Sequence, residues 1–454
     1  MPTTIDIESQ RMLLGTTPVR KIYQGTNLLG TRIAELFANG EQGVWYDPSD
    51  LSTLFQDSAG TVPVTGVEQP VGLMLDKSGR GNHASQPTTT ARPILRARYN
   101  LLTQTENLGH ADWPSTQQGT KCTVEQVQAP DGSMTAQKLT ALVYPLVPIR
   151  AITVQGSTFR FVVWLKPGSI SVPRALVRNN TTAVNLIQAD TSQTRVSNQY
   201  GECIVTAGPD GWKKFTFTVT SGISPGDRVH LYYGFTDALQ IGDTWSVWHP
   251  DFRYLNDAFN SPEYQRVGVA TDYDTVGFPH YLRFDGVDDW LVTPTITPGV
   301  DKAQVFAGLR KLSDAAQGVV AELSATIASN GGTFLLAAPN GATQTYGLDS
   351  KGTTQVDAVA TSIAAPITSV VTGLADISGD SAIIRVNGAV ADTEAGDQGL
   401  GNYLAYPLYI GSRGGTTFPF NGHLYGLIVR FGTNLPTATI QNTEKYINQK
   451  TRAY

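Results

Sequence analysis

In KKFTFTVT (213–220) apolar and polar positions alternate strictly. Phe215, Phe217 and Val219 fall on one side of an extended chain, and Thr216, Thr218 and Thr220 on the other. That pattern predicts a strand with one face in a core. FRFVVWLK (159–166), RVHLYYGF (228–235) and DTWSVWHPDF (243–252) share its β-branched and aromatic character and are bounded by Pro, Gly and Asp turns. Residues 100 to 256 therefore predict an antiparallel sandwich. A second series of strands starts at Tyr281. FLLAAPNGATQTYGL and AIIRVNGAVADT carry the hairpin pairs Asn340-Gly341 and Asn387-Gly388, and PLYIGSR and HLYGLIVRF add further strands. In TATIQNTEKYINQK, Ile440, Tyr446 and Ile447 recur at helical spacing, which predicts a short closing helix capped by Thr437 or Thr439.

The segments before and between these series are different. From Gly43 to Arg98 the chain is mostly turn chemistry with a few short strands, and reads as a fragment of a sheet domain. The first forty residues hold too few apolar positions for a core of their own. They end in a helical candidate, TRIAELFANG, and are expected to be ordered by docking on something else.

Composition sharpens this picture. A chain of 454 residues exceeds one ordinary core and suggests two to four domains. With 45 Gly, 25 Pro and only 16% charged residues, the balance favours a turn-rich β protein over helical bundles. The net charge of -5 comes without a Lys/Arg block, so nucleic acid is not an expected partner. No run approaches the apolar length of a membrane span, and the opening residues lack the order of a signal peptide. Release is then expected within an assembled particle. Two cysteines, Cys122 and Cys203, cannot staple the chain; two free, half-buried thiols are the preferred reading over one bridge.

FDGVDDWL, VNGAV, PLYIGSR and FNGHLYGLIVRF, in this order, resemble the concanavalin A-like, laminin-G-type sandwich. The opening and loop motifs of that family are present as VWYDPSDL and LDKSGRGNHA, but far upstream, so the sandwich reads as interrupted near Arg98 and resumed near Tyr264. Between them, NLLTQTENLGHADW, FRFVVWLKPGS, GWKKFTFTVT and DTWSVWHPDFRYL resemble the carbohydrate-binding-module-like jelly roll of phage structural proteins. The G-x-Q-x-E element that follows the closing strand in that family is replaced by His249-Pro250-Asp251-Phe252. PVRKIYQGTNLLG resembles short docking segments of phage tail proteins, with Arg20 and Tyr23 as candidate docking residues.

These resemblances imply an all-β chain of two jelly-roll sandwiches, one inserted into the other. Residues 1–40 would be a virion-docking segment, 41–98 with 264–454 the outer sandwich, and 99–263 the insert, with a short C-terminal helix. The implied role is a structural component of a tailed-phage virion, tail-associated as a fibre, baseplate or minor tail protein, assembled in the host cytoplasm and contributing to recognition of host surface polysaccharide. Implied partners are other virion proteins, and a homo-oligomer, in phage fibres a trimer. The alternatives are a structural or capsid-decorating virion protein without ligand and, behind it, a glycan-degrading enzyme.

YLRFDGVDDWLVTP (281–294) clusters Asp285, Asp288 and Asp289. Carboxylates that accept turn amides beside Gly286 are the preferred reading; a structural Ca²⁺, which needs six to eight oxygens, comes second, and catalysis last. The related glucanases set E-x-D-x-x-E along one strand, and no such string occurs; ADTEAGD (391–397) is the nearest cluster. There is no G-x-S-x-G and no H-E-x-x-H, GLDSKGTT has Thr353 where a phosphate loop needs lysine, and the six histidines are scattered. No enzyme, cofactor or metal is expected. Among the aromatics Trp212, Tyr232, Tyr233, Trp245 and Trp248, alternation sends Trp245 and Val247 one way and Trp248 the other. Core filling or contact with a neighbouring domain is the first reading. A glycan-binding or subunit-contact face is the second, with Trp212, Tyr233, Trp245 and Trp248 as the candidate glycan-binding residues.

Overall fold

Strands are the dominant regular element, 44% against 7% helix, as the alternating patterns require. The computed structural model describes residues 33–144, 146–235, 239–255, 264–268 and 278–454. Of the first 32 residues it describes only short strand backbones: Met12–Leu14 paired with Thr17–Val19, and Tyr23–Gln24 paired with Asn27–Leu28. Arg20 lies outside the described residues, as does the side chain of Tyr23. Among the described residues the molecule is nearly all β, with several antiparallel sheets and one C-terminal α-helix. It divides into two compact units, Met1–Leu95 with Pro279–Tyr454, and Arg96–Phe278.

In the first unit an eight-stranded sheet is built around Lys302–Lys311, flanked by Ile367–Asp376 and Asn421–Phe431. Asn421–Phe431 pairs both with Gln42–Tyr46, placing Ile428 opposite Trp45, and with Tyr281–Asp285, placing Leu424 opposite Leu282. Chain from both sides of the second unit therefore shares one sheet. A nine-stranded sheet runs from Gln355–Ala360 at one edge to Leu54–Phe55 at the other. One buried cluster joins the sheets: Val44, Tyr46, Phe284, Val305 and Leu427 from the first meet Met74, Phe334, Leu336 and Leu348 from the second. Burial of this apolar area supplies most of the stabilisation.

The other face of the eight-stranded sheet carries the C-terminal helix Thr437–Thr451. Ile440 and Ile447 pack with Phe306, Ile428 and Trp45, and with Ile33, Leu36 and Phe37 of a 3₁₀ turn, Ile33–Phe37. The end of the predicted docking segment thus supplies apolar side chains to this cluster, as a 3₁₀ turn. Neither Thr437 nor Thr439 caps the helix through its side chain. It begins behind Pro436, whose carbonyl accepts from the Thr439 amide at 2.9 Å. Proline suits this place because it cannot extend a helix backwards. Asn387-Gly388 makes the two-residue hairpin turn between Ser381–Val386 and Ala389–Glu394, both residues having positive φ.

The second unit is also a sandwich. A seven-stranded sheet includes Phe159–Pro167, Lys213–Val219 and Thr244–Tyr254, and a four-stranded sheet runs Ile149–Thr153, Arg228–Phe235, Arg174–Asn179, Val184–Asp190. Their shared core holds Phe215, Phe217 and Val219, the inward side predicted for KKFTFTVT, against Val177, Val229, Leu231 and Tyr233. The segments that enter and leave this unit bond to each other: the Gln265 side chain accepts from the amides of Tyr99 and Asn100, and the Asn100 amide group donates to the Gln265 carbonyl at 2.9 Å. Adjacent ends are what insertion into another domain requires. Cys122 and Cys203 are free and buried, and burial pushes both thiols up to about 12.

Candidate functional site

Strand parity sorts the side chains of Arg228–Phe235. Val229, Leu231 and Tyr233 enter the core, which leaves Arg228, His230 and Tyr232 on the outer face of the four-stranded sheet. Directly opposed residues of an antiparallel pair share a face, so register carries this sorting across the sheet. His230 lies between Ala151 and Arg178, and Tyr232 between Ile149 and Leu176. On the next strand Arg178 faces Asn185 and Leu176 faces Gln188. The outer face is therefore a grid of aromatic, guanidinium and amide groups.

Gly234 sets one corner of it. Its φ of +82° suits glycine, and a Cβ there would lie 2.1 Å from Cδ1 of the buried Trp245 ring. The register shifts at this point, so that Tyr233 stays opposite Ala175 while Phe235 comes opposite Arg174 on the outer side. The Phe235 ring then sits 5.4 Å from Tyr232, whose other neighbour is His230 at 6.3 Å.

Two guanidinium groups flank His230 on this face. Burial, followed by the positive charges of Arg228 and Arg178, holds the His230 imidazole below its ordinary range, so it is neutral at neutral pH. Its Nε2 is buried without a hydrogen-bond partner among the described residues. Arg178 donates through Nη1 to Asn185 Oδ1 at 2.7 Å. The neighbouring carboxylates are occupied: Asp190 accepts from the Ser192 amide and hydroxyl, and Asp227 from the Ser224 amide and the Asn179 side chain. Planar donors beside half-buried rings can hydrogen-bond ligand oxygens while the rings cover apolar ligand surface.

The aromatics expected to bind glycan lie elsewhere. Trp212, Tyr233, Trp245 and Trp248 are 1%, 1%, 0% and 7% exposed, so none presents a ring face to solvent. Tyr233 and Trp245 fill the main core; the Tyr233 ring meets Trp113 edge-on at 5.3 Å. Trp248 does point the other way from Trp245, but it is closed in with Trp212, Ala129 and Ala136, its Nε1 donating to Thr135 Oγ1 at 2.9 Å. The platform assignment is corrected on this ground: large apolar rings gain more from burial than this small domain could spare. The signal for the exposed set was parity within RVHLYYGF, where an inward Tyr233 forces Tyr232 and His230 outward.

Asp285, Asp288 and Asp289 bring carboxylate oxygens within 4.8 Å of one another. The turn accounts for their contacts. Asp285 Oδ1 accepts from the amides of Val287 and Asp288, Asp289 Oδ2 from the amide of Asp285, and Gly286 has φ +76°. Burial, then the charges of Asp285 and Asp288, pushes Asp289 up to about 7. A proton can thus relieve the repulsion that a cation would otherwise relieve. Millimolar Ca²⁺ is expected to leave the melting temperature unchanged in a calorimetric scan; a rise that EDTA reverses would establish a cation site instead.

A second carboxylate row crosses the nine-stranded sheet, where Asp357 faces Asp349, Asp349 faces Leu335, and Leu335 faces Glu322. Burial and then Asp357 push Asp349 up to about 7, and burial raises Glu322 despite its 2.9 Å bond to Arg413. With Glu322 0% and Asp349 5% exposed, neither reaches a substrate. Their effect is on stability. Between the ordinary carboxylate range and about pH 7 the folded chain holds a proton on Asp349 that the unfolded chain has released. The contribution is therefore full at low pH and is lost as pH rises through 7. Asp349→Asn should raise the urea midpoint at pH 8 and change it little at pH 4; an equal effect at both values would refute the assignment.

A cleft of about 340 Å³ lies between the start of the C-terminal helix and the eight-stranded sheet. Its charged walls are already used, Asp376 by Lys302 and Asn434, and Arg385 by Glu444.

No family model matches the chain, and no curated protein matches it. Solved structures similar to parts of it include the CBM40 of Ruminococcus gnavus IT-sialidase, at 15% identity and TM-score 0.27, covering 31% of this chain and 82% of that one. The botulinum neurotoxin type G receptor binding domain follows at 10% identity and TM-score 0.28, covering 37% and 42%. The heptameric SAP-like pentraxin of Limulus polyphemus is 16% identical with TM-score 0.28, covering 36% and 79%. Likeness at this level assigns no ligand to this chain. What the fold and site define is a two-unit β-sandwich protein with an open aromatic and guanidinium sheet face.

Proposed function

We propose that this protein is a glycan-binding adhesion protein, and that it binds through the outer face of the four-stranded sheet. The observation that carries this reading is the set Tyr232, Phe235, His230, Arg178 and Gln188, gathered by register on one sheet face. Sugar rings need a flat apolar surface with polar groups at its edges, and this face supplies both. The reaction class is binding without turnover. The sequence resemblances support placement in the tail of a phage particle, where several copies would raise avidity over a weak single site.

The test is a glycan array on the purified full chain, with Tyr232→Ala and, as the control, Trp164→Ala, a half-buried ring on the Phe159–Pro167 strand of the seven-stranded sheet. Binding to a bacterial surface polysaccharide that is lost in Tyr232→Ala and kept in Trp164→Ala supports the assignment. A wild-type chain that binds no glycan, yet associates stably with another virion protein, would favour the ligand-free structural alternative. Shortened polysaccharide after incubation would instead favour an enzyme.

A further inference from the structure

Resting on that reading of the same face, we infer that its glycan is acidic: the ligand carries carboxylates, as a uronic-acid polysaccharide does, and Arg178 and Arg228 bind them beside Tyr232. Three observations converge. Register puts Arg178 directly opposite His230, and parity puts Arg228 on the same side of the same strand as His230 and Tyr232. The imidazole between them responds to both guanidinium charges, which marks a locally positive surface. The nearby carboxylates, Asp190 and Asp227, hydrogen-bond to turn amides and to hydroxyl or amide side chains, and among the described residues neither forms an ion pair with Arg178 or Arg228.

This local sign opposes the chain's net charge of -5, so attraction of acidic polymer is a property of the face. Guanidinium groups match carboxylates in geometry, with two parallel donors for two oxygens. The exposed Gln188 amide, opposite Leu176, remains for hydroxyls. The row order is then definite. Carboxylates fall toward Arg228 and Arg178, and sugar ring faces lie over Tyr232 and Phe235.

The experiment is biolayer interferometry of the immobilised full chain against polygalacturonate, dextran, dextran sulfate and single-stranded DNA. Polygalacturonate is expected to bind, dextran not to, and binding should weaken as salt rises. Arg178→Ala should weaken it about tenfold or more, the loss of a charge-assisted bond. Arg228→Ala, at an exposed position, repeats the test if Arg178→Ala lowers the denaturation midpoint. Dextran binding as tight as polygalacturonate, or arginine variants that bind polygalacturonate like wild type, overturns the acidic class while leaving glycan binding in place. Equal binding of DNA and dextran sulfate overturns it in favour of a general polyanion surface. Binding of none of the four, together with an empty glycan array, removes the glycan reading itself.

Discussion

Gly234→Ala is expected to destabilise the protein on the order of 3 kcal/mol or more and to abolish ligand binding with it. Two costs add. A non-glycine residue at φ +82° costs about 1–2 kcal/mol, and forcing a methyl group into a packed interior about 1–3. Here the methyl would lie 2.1 Å from the Trp245 ring, which is wholly buried in the second unit's core and cannot retreat. Relief requires the Arg228–Phe235 strand to shift, and with it Phe235 and Tyr232. Urea denaturation of the full chain, followed by tryptophan fluorescence, measures the loss. A midpoint like wild type would show that the strand does not depend on this close approach.

Glu444→Ala is expected to cost about 3–5 kcal/mol, the cost of leaving a buried charge without its partner. Glu444 is 1% exposed, and its Oε1 and Oε2 accept from Arg385 Nε and Nη2 at 2.7 and 3.1 Å. This pair ties the C-terminal helix to the Ser381–Val386 strand. The double variant Arg385→Met with Glu444→Leu should recover most of the loss, because it removes the charge left stranded as well as the partner. A single variant losing less than about 1 kcal/mol would place the pair in the class of solvated surface bridges.

The sheet architecture was legible because alternation and turn chemistry are local. Phe215, Phe217 and Val219 went inward as their period demanded, and Asn387-Gly388 made the turn its residues favour. Asn340-Gly341 sits in a longer connection between Thr333–Ala337 and Tyr346–Lys351, since a loop's length depends on where its strands end. The pairing of Gln42–Tyr46 with Asn421–Phe431 is a contact that no local pattern encodes, and it was legible only through the order of motifs. At the site, residue type misled. Tryptophan suggests a sugar platform, yet Trp212, Trp245 and Trp248 gained more from burial. Tyr232 and His230 carry the exposed face because their neighbours claimed the interior. The charge at that face comes from arginines on two neighbouring strands, with Arg178 brought opposite His230 by register, which spacing along one strand does not reveal.

The most direct test of the central claim is hydrogen–deuterium exchange of the full chain with and without the polysaccharide that binds it. Added protection is expected, confined to residues 149–153, 174–190 and 228–235. Protection over the opposite sheet, at Trp164 and residues 207–214, or no change in the second unit at all, would contradict it.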